Sequence, residues 1–213
     1  VKDTLQKVLG GAHLSRKEAE GFMEELTEGN LSDSQIAGFL IALNVKGPSP
    51  EEIAGCASVL RKKRVPITSS RPLLDIVGTG GDGMGTFNIS SLAAVTAAAC
   101  GAAVAKHGNR AVSSVSGSAD FFAGMGVPID LSPAGAEQLL EETGFSFLFA
   151  PIYHSAMKYA APARRELGVK TIMNLLGPLV NPACAEYQVI GVFSRDFLRP
   201  VAEAIQMLGV KRA

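Results

Sequence analysis

Apolar and polar positions alternate through the first 65 residues at the spacing of amphipathic helices. Ile36, Phe39, Leu40 and Leu43 recur on one helical face. Capping boxes, in which a serine precedes Glu or Gln by three positions, open three such segments at Ser15, Ser32 and Ser49. The dipeptide Gly47-Pro48 separates the second helix from the third. The pattern predicts three or four short helices in a small bundle, which a second subunit could complete.

From Pro66 onwards, short apolar runs alternate with helical patterns. The predicted strands span residues 73–77, 102–105, 147–149 and 189–193, and the predicted helices span 91–100, 120–125 and 133–143. This alternation predicts an α/β fold with a mostly parallel sheet, helices on both faces, and ligands at the carboxyl ends of the strands. We therefore expect a small helical domain in residues 1–65, which helices within 155–185 could join, and a larger α/β domain in 66–213.

Composition and charge argue against several classes of protein. Lysine plus arginine equals aspartate plus glutamate at 20 each, so the formal charge is zero and no basic surplus favours nucleic acid or membrane. The basic run at residues 61–64 is typical of a solvated helix C-terminus. Three scattered cysteines without metal-binding spacing indicate reduced thiols and a cytoplasmic protein. No secretory signal or bilayer-spanning segment is visible.

The most informative candidate site is a glycine-rich loop, GTGGDG at residues 78–83, between the first predicted strand and an Ala-rich helix. Glycines let the backbone approach a ligand, and the helix start adds N–H donors and about half a positive charge, so a phosphate or diphosphate fits. The spacing is that of neither a Rossmann motif nor a P-loop. A loop that only joins a strand to a helix is an equally good interpretation. Asp82 would repel phosphate, which suits it instead to sugar hydroxyls, metal-bound water or the loop's own N–H groups.

Three further loops stand where a binding crevice is expected, at residues 106–110, 113–120 and 177–182. The first follows an apolar strand, and its Lys106 and Arg110 could clamp a phosphate with a point charge, a fork and backbone donors. Ser90 and Ser91 offer hydroxyl oxygens to Mg²⁺, which takes one or two protein ligands when a diphosphate holds it. Each loop taken alone is also compatible with a plain surface turn.

The motifs GTGGD, NISS, KHGNRAVSS, SGSAD, APARRELG and NLLGPLVNP, in this order and at these separations, resemble the anthranilate phosphoribosyltransferase family over essentially the whole chain. GTGGD alone would also suit pyrimidine nucleoside phosphorylases, which share that fold. The resemblance implies a nucleoside phosphorylase/phosphoribosyltransferase-like fold. It implies transfer of the phosphoribosyl group of phosphoribosyl diphosphate (PRPP) to the amine of anthranilate in tryptophan biosynthesis, with release of diphosphate. It also implies Mg²⁺ and a homodimer assembled through the helical domain.

The same resemblance implies the site residues. Those matched to PRPP binding are Gly78, Gly81, Asp82, Thr86, Asn88, Ile89, Ser90, Ser91, Lys106, His107, Gly108, Asn109, Arg110, Ala111, Val112, Ser113, Ser114 and Ser118. Those matched to anthranilate are Gly78, Asn109 and Arg164, with His107 and His154 along its path. Ser90 would also bind magnesium. Arg164 suits the role because a guanidinium can hold the anthranilate carboxylate with two hydrogen bonds; a solvated helix face is its alternative.

Residue chemistry indicates a mechanism without a strong base, because an aromatic amine is neutral at pH 7 and its lone pair is free. The difficult event is departure of the diphosphate. Mg²⁺, Lys106 and backbone donors would stabilise its developing charge, while the site holds the amine near the anomeric carbon. The substitution Lys106→Ala is expected to lower turnover by roughly tenfold to a thousandfold.

The chain departs from the family at its end, because family members continue well beyond Ala213. The missing part carries a magnesium-binding Asp-Glu pair, so we expect a truncated chain with incomplete metal binding, weak or no activity, and a sheet ending on an unpaired strand. Three alternatives stay open. They are a pyrimidine nucleoside phosphorylase, whose Lys-His-Ser motif is replaced here by Asp75-Ile76-Val77, a nucleic-acid-binding protein of this fold, and a non-catalytic form that only binds ligand.

Overall fold

The structure is a computed structural model that describes residues 2–80, 85–111 and 116–213. Its α-helices are α1 (Lys2–Leu9), α2 (Arg16–Glu28), α3 (Asp33–Lys46), α4 (Pro50–Lys63), α5 (Ile89–Ala99), α6 (Ser118–Gly124), α7 (Pro133–Thr143), α8 (Ala150–Tyr153), α9 (Ala161–Leu167), α10 (Ile172–Leu176) and α11 (Leu198–Met207). Its strands are β1 (Leu73–Gly78), β2 (Ala103–Gly108), β3 (Phe145–Phe149) and β4 (Tyr187–Gly191). Short 3₁₀ turns span Ser155–Ala160, Gly177–Val180 and Arg195–Phe197.

One compact unit is helical and contains the residues up to Lys63 together with Ser155–Val180 and Asp196–Gly209. All three predicted capping boxes form, because each serine hydroxyl accepts a backbone N–H and the acid or amide three residues later accepts the serine N–H. The pairs are Ser15 with Glu18, Ser32 with Gln35, and Ser49 with Glu52. Gly47 ends α3 with a positive φ of 82°, a backbone angle that favours glycine. The local signals therefore place these helix ends correctly.

Close backbone contact joins α2 and α4. Gly55 in the middle of α4 leaves no room for a side chain, because a Cβ there would lie 2.6 Å from the Arg16 carbonyl oxygen and 3.0 Å from the Ala19 Cβ. The Phe22 and Phe39 rings stack in the same core, and both side chains are buried. A small residue at the crossing thus allows the two helices to pack backbone against backbone.

A buried carboxylate ties the start of α4 to the chain before α2. Glu52 is fully buried and accepts hydrogen bonds from the N–H of Leu14 at 2.8 Å and of Ser49 at 2.7 Å. Lys46 Nζ lies 2.8 Å from the Glu52 Oε2 and neutralises its charge. A buried charge is tolerated when it is paired and its lone pairs are satisfied, and Glu52 meets both conditions.

The prediction that residues 61–64 form a solvated run is wrong for both arginines. Arg61 donates to the carbonyl oxygens of Leu179 at 2.6 Å and Leu208 at 3.0 Å, and Arg64 donates to Pro182 at 2.9 Å. Carbonyls at the ends of helices and turns lack partners within their own element. The guanidinium groups supply those partners, which a pattern of local charge does not reveal.

The second compact unit contains Arg64–His154, Asn181–Arg195 and Val210–Ala213. Its four strands are all parallel and run in the order β3-β2-β1-β4. Alternate strand residues pack on α7 on one face, as Leu73 and Ala103 do, and on α5 on the other, as Ile76 and Val104 do. The predicted α/β fold with helices on both faces is confirmed. No helix among the described residues is both long and apolar enough to span a membrane.

The strand boundaries need one correction that matters for function. The prediction ended the second strand at Ala105, but β2 continues to Gly108 because Lys106, His107 and Gly108 pair with β3. The prediction stopped at the first charged residue, whereas tertiary pairing carries the strand through it. Lys106 and His107 are therefore buried strand residues rather than loop residues.

Candidate active site

The carboxyl edge of the sheet is lined by three glycines. Gly78 at the end of β1 pairs with Gly191 at the end of β4, and Gly108 at the end of β2 pairs with Phe149. The Thr79 N–H extends the ladder by donating to the Gly191 carbonyl at 2.9 Å. Because side chains are absent at these positions, backbone groups are exposed at the edge where ligands of parallel sheets bind.

The loop after β1 leads from this edge into α5. Gly80 adopts a left-handed conformation with φ of 68°, and the description resumes at Gly85 with φ of 62°; the predicted ligand residues Gly81 and Asp82 lie outside the described residues. Thr86 is exposed before α5, and in the first turn of α5 Ile89 is exposed and Ser90 is partly exposed. The predicted ligand residue Ser91 is fully buried, and its hydroxyl has no hydrogen-bond partner in the described part of the chain.

Asn88 joins the two glycine-containing loops. It precedes α5, where its side chain would ordinarily cap the helix, but it makes no cap hydrogen bond. Its side-chain amide donates instead to the Ser116 Oγ at 3.3 Å and to the Gly117 carbonyl at 3.2 Å. The loop after β1 and the loop after β2 are thereby held against each other.

The loop after β2 folds back on the start of α6 through one carboxylate. Asp120 accepts hydrogen bonds from the N–H groups of Ala111 at 3.0 Å and Gly117 at 2.9 Å, and from Arg110 Nη1 at 2.9 Å. These bonds, the backbone ones foremost, hold the pKa of Asp120 below its usual value. The predicted residues Val112, Ser113 and Ser114 lie outside the described residues.

A glycine at the end of β2 allows β2 and α6 to touch. A Cβ on Gly108 would overlap the Ser118 Oγ and lie 2.8 Å from a Phe147 ring carbon. The Ala119 N–H and the Ser118 hydroxyl both donate to the Asn109 carbonyl, at 3.1 and 3.4 Å. The predicted residues Gly108, Asn109 and Ser118 therefore come together at the carboxyl edge. The Arg110 guanidinium carbon lies 5.9 Å from the centroid of the Phe149 ring.

Lys106 occupies a different environment from the open phosphate clamp that the sequence predicts. Its side chain is 1% exposed, and its ammonium donates to the Ile76 carbonyl of β1 at 2.5 Å. Burial lowers the pKa of Lys106, and the negative charge of Asp75 opposes this effect. The positive charge of Lys106 therefore lies inside the sheet, near its carboxyl edge.

Two of the three histidines meet beside this edge. The His107 ring on β2 and the His154 ring after α8 have centroids 5.2 Å apart at an interplanar angle of 60°, and both residues are buried. Arg164, the predicted partner of the anthranilate carboxylate, lies on α9 in the helical unit. It is partly buried, and burial lowers its pKa.

A further predicted loop, at residues 177–182, divides between two roles. Pro178, Leu179 and Val180 are buried in the 3₁₀ turn Gly177–Val180. Asn181 is buried in the α/β unit, where its side-chain amide donates to the Ala105 carbonyl at 2.8 Å. The loop thus supplies an apolar turn and one amide that binds the β2 backbone.

Sequence reasoning missed Asp75 as a site residue. The carboxylate is fully buried in β1, and its Oδ1 accepts the His107 N–H at 3.3 Å. The available signal was a single acid within the apolar run at 73–77, since a charge in a buried strand requires a partner or a function. Asp120 carried a similar signal, because it stands three residues after Gly117 in a capping-box position.

The residues present fit a magnesium ion only in part. Within residues 2–80, 85–111 and 116–213, no group of three His, Cys, Asp or Glu side chains could hold a metal ion. The partly exposed Ser90 hydroxyl offers one oxygen beside backbone donors at the start of α5. Mg²⁺ bound to a diphosphate keeps several waters and needs few protein ligands. The Ser90 hydroxyl could therefore serve as one ligand of such an ion.

Comparison with known proteins defines the class. Residues 2–64 match the glycosyl transferase family, helical bundle domain, and residues 70–213 match the glycosyl transferase family, a/b domain. The chain therefore belongs to the glycosyl transferase family that combines these two domains.

Two relatives that are about 50% identical carry the same name. Anthranilate phosphoribosyltransferase of Moorella thermoacetica is 49% identical over 214 residues, and that of Thermus thermophilus is 50% identical over 210 residues. The crystal structure of the Thermus thermophilus enzyme matches with a TM-score of 0.93 over 98% of this chain at 50% identity. The Saccharomyces cerevisiae enzyme in complex with PRPP and Mg matches over 98% of the chain with a TM-score of 0.89 at 28% identity.

These findings confirm the resemblance to anthranilate phosphoribosyltransferases that the motifs indicate. The chain spans 63% of the Moorella protein, 64% of the Thermus protein and 62% of the yeast chain, while the matches cover 98% or more of its own residues.

Proposed function

We propose that this chain binds PRPP at the carboxyl edge of its sheet and supports transfer of the phosphoribosyl group to the amine of anthranilate, giving N-(5-phosphoribosyl)anthranilate and diphosphate. The observation that carries the proposal is the convergence of two glycine-containing loops. Asn88 binds Gly117 across them, and Ser118 lies against Gly108. The names of the relatives at 49–50% identity favour this reaction over nucleoside phosphorolysis.

We assign the doubly phosphorylated sugar to these loops because their exposed groups are donors. Backbone N–H groups near Gly78 and Gly80, the start of α5 and the hydroxyl of Ser118 suit phosphate oxygens. Arg110 is held by Asp120 at 2.9 Å and keeps further N–H donors to offer. Gly81, Asp82 and residues 112–114 keep their predicted role as part of the same proposal.

Anthranilate is assigned to Gly78, Asn109, Arg164 and the histidine pair. Arg164 would hold the carboxylate, and the contact between the His107 and His154 rings supports a shared place for them on the path of the aromatic ring. Partial burial of Arg164 strengthens its attraction for a carboxylate, because the surrounding dielectric is low.

Ser90 is proposed to contribute an oxygen to Mg²⁺ bound by the diphosphate. The ion would supply positive charge against the charge that develops on the leaving group. The yeast relative was solved with PRPP and Mg, which supports this assignment.

The chain's own residues would work by charge and position. The buried ammonium of Lys106 places a positive charge inside the sheet edge, where low dielectric extends its influence toward a departing diphosphate. Backbone donors of the two loops would bind the same anion as its charge grows. Arg164 and Asn109 would orient the aromatic amine, whose free lone pair attacks the anomeric carbon without a general base.

The predicted organisation belongs to the same proposal. We propose a helical domain formed by residues 1–65 with helices from 155–185, and an α/β domain in the rest of 66–213. The compact unit that joins Ser155–Val180 to the N-terminal helices supports the helical part of this division, and it also contains Asp196–Gly209, which the division assigns to the α/β domain. A homodimer through the helical domain and a cytoplasmic location are the predictions that accompany it.

The proposal is tested by calorimetric titration of the 213-residue chain with PRPP and Mg²⁺, followed by anthranilate and a fluorescence assay for its consumption. We expect saturable PRPP binding at one site. Asn88→Ala should weaken it by about tenfold, because one hydrogen-bonded link between the loops is lost. Ser69→Ala is the matched control. It removes a comparable hydrogen bond, from Ser69 to Glu141 at 2.6 Å, on the chain that precedes β1 at the opposite edge.

Three other outcomes have distinct meanings. Absence of PRPP binding would contradict the proposal. Phosphate-dependent release of a free pyrimidine from a nucleoside would support the phosphorylase alternative instead. Binding without turnover would support the ligand-binding alternative, and the same assay would identify it.

A further inference from the structure

The backbone pairing between β1 and β2 stops before the active edge. The recorded register of this pair covers Leu73–Leu74 against Ala103–Val104, whereas β1 with β4 and β2 with β3 are each in register over five positions. The shorter register of β1 with β2 concerns residues that the structure describes, namely 75–78 and 105–108. The two central strands remain neighbours over their whole length, but beyond Leu74 and Val104 their described residues show no further paired positions.

Beyond that register, three buried side chains bind backbone groups of β1 and β2. The Asp75 Oδ1 accepts the His107 N–H at 3.3 Å, the Lys106 ammonium donates to the Ile76 carbonyl at 2.5 Å, and the Asn181 amide donates to the Ala105 carbonyl at 2.8 Å. All three side chains are 1% exposed or less. Backbone groups that a regular sheet would pair with each other are thus satisfied by side chains.

The charges of Asp75 and Lys106 lie close together. An ammonium group with 1% exposure is costly unless an opposite charge compensates it. The Lys106 ammonium binds the carbonyl of Ile76, the residue next to the fully buried Asp75, whose charge favours the protonated form of Lys106. Burial raises the pKa of Asp75, and the charge of Lys106, the Asn181 amide and the backbone N–H groups of His107 and Ile76 oppose this larger effect.

We propose that Asp75 is a positioning residue for the PRPP site: through the His107 N–H it fixes the start of the loop after β2, and through its charge it keeps the Lys106 ammonium at the carboxyl ends of β1 and β2. The proposal rests on the proposed function, because it assigns Lys106 to the leaving diphosphate. Asp75 itself contacts no substrate. Its influence reaches the ligand by way of Lys106 and the loop.

Two substitutions separate the two effects. Asp75→Asn removes the charge and keeps an oxygen that can accept the His107 N–H. Asp75→Ala removes both. Amide hydrogen exchange of the ligand-free chain measures how firmly Asp75 holds the His107 N–H at the start of the loop after β2. We expect His107 to lose at least about tenfold of its protection in Asp75→Ala, relative to the core amide of Val104, and to keep it in Asp75→Asn. Unchanged protection of His107 in Asp75→Ala would overturn the positioning of the loop.

A double-mutant cycle on PRPP binding measures how far the Asp75 charge acts through Lys106. Asp75→Asn should weaken binding of Mg²⁺-PRPP by about tenfold, as expected for the loss of one charge-dependent contact. In the background of Lys106→Met, the same substitution should change the affinity by less than about twofold. Effects that multiply independently would overturn the proposal, since a merely structural role does not act through Lys106.

Controls keep the result interpretable. Glu52→Gln removes another buried carboxylate with a lysine partner, in the helical unit, and should leave PRPP affinity unchanged. Denaturant unfolding of every variant establishes that it is folded at the assay temperature. If the unsubstituted chain binds no PRPP, the proposed function fails. The proposed effect of Asp75 on PRPP binding then fails as well. The hydrogen-exchange data would still show whether Asp75 positions the loop after β2.

Discussion

Gly117 lies so close to Asn109 that a Cβ on the glycine would stand 2.7 Å from the Asn109 carbonyl oxygen. The same added atom would lie 2.6 Å from the Arg110 carbonyl carbon. These neighbours are backbone atoms, which cannot move aside as the end of a flexible side chain can. The close approach explains why the segment that begins α6 can lie directly on the segment that leaves β2.

Gly117→Ala is therefore expected to open the loop. The backbone of residues 109–111 must shift, and the Asn88 and Asp120 hydrogen bonds to Gly117 shift with it. We expect PRPP affinity to fall by about tenfold or more, since contacts of this size are worth about 1.4 kcal/mol each. Gly124→Ala, at the end of the same helix with no atom near its Cβ position, is the matched control. Equal affinities for the two variants in calorimetric titration would refute the expectation.

A similar pair of glycines tests the packing of the helical unit. Gly55→Ala should lower the free energy of unfolding by about 1–3 kcal/mol, because the new methyl group overlaps the Arg16 carbonyl of α2. Gly21→Ala, at an exposed and open position of α2, should raise it by about 0.5–1 kcal/mol through helix propensity. Urea unfolding followed by circular dichroism measures both. Equal shifts of the same sign would show that α2 and α4 are less closely packed than described.

Glu52→Gln tests the buried anchor before α4. The amide keeps the size of the side chain but leaves Lys46 without its charge partner and places an N–H₂ group against N–H donors. Loss of one partner from a buried ion pair costs about 3 kcal/mol, and we expect unfolding at correspondingly lower urea concentration. Glu51→Gln alters the exposed neighbour on the same helix and should change stability by less than about 0.5 kcal/mol.

Asp75 also predicts a dependence of stability on pH. Burial raises the pKa of Asp75 from 3.8 to about 6, although the charge of Lys106 opposes the rise. Between these values the folded chain holds a proton that the unfolded chain has released, so its contribution to the free energy of unfolding falls as pH rises from about 4 to about 6. Above that window the contribution is constant.

The comparison of Asp75→Asn with the unsubstituted chain isolates this effect. The variant lacks the titrating group, so its stability relative to the parent should increase with pH across the same window and then level off. The two proteins share every other titratable group, so the difference reports the change at Asp75. A difference that is flat from about pH 4 to pH 8 would show that Asp75 has an ordinary pKa.

Local signals in the sequence were sufficient for the helices. Ser132 followed by Pro133 marks the start of α7, and the helix ends at Thr143 as predicted, before Gly144 with φ of 75°. Each signal acts within one turn of chain, so neighbouring residues contain the necessary information. The first strand and the carboxyl edge as the place of the loops followed from the same reasoning.

Long-range contacts were beyond such reasoning. Lys106 looked like the start of a loop because its charge interrupts an apolar run, yet it belongs to β2 and bonds a carbonyl thirty residues earlier. Arg61 looked solvated, yet it bonds a carbonyl 118 residues later. In both cases the partner is a backbone oxygen, which has the same appearance at every position of a sequence. Only the folded structure shows which oxygen needs a donor.

The strand order β3-β2-β1-β4 has a consequence for biosynthesis. Strand β1 can pair with β2 soon after both leave the ribosome, but its other side pairs with Tyr187–Gly191, which is translated more than a hundred residues later. At about 5–20 residues per second, that side waits on the order of ten seconds. During this interval the unpaired backbone edge of β1 is open to pairing with another copy of the chain.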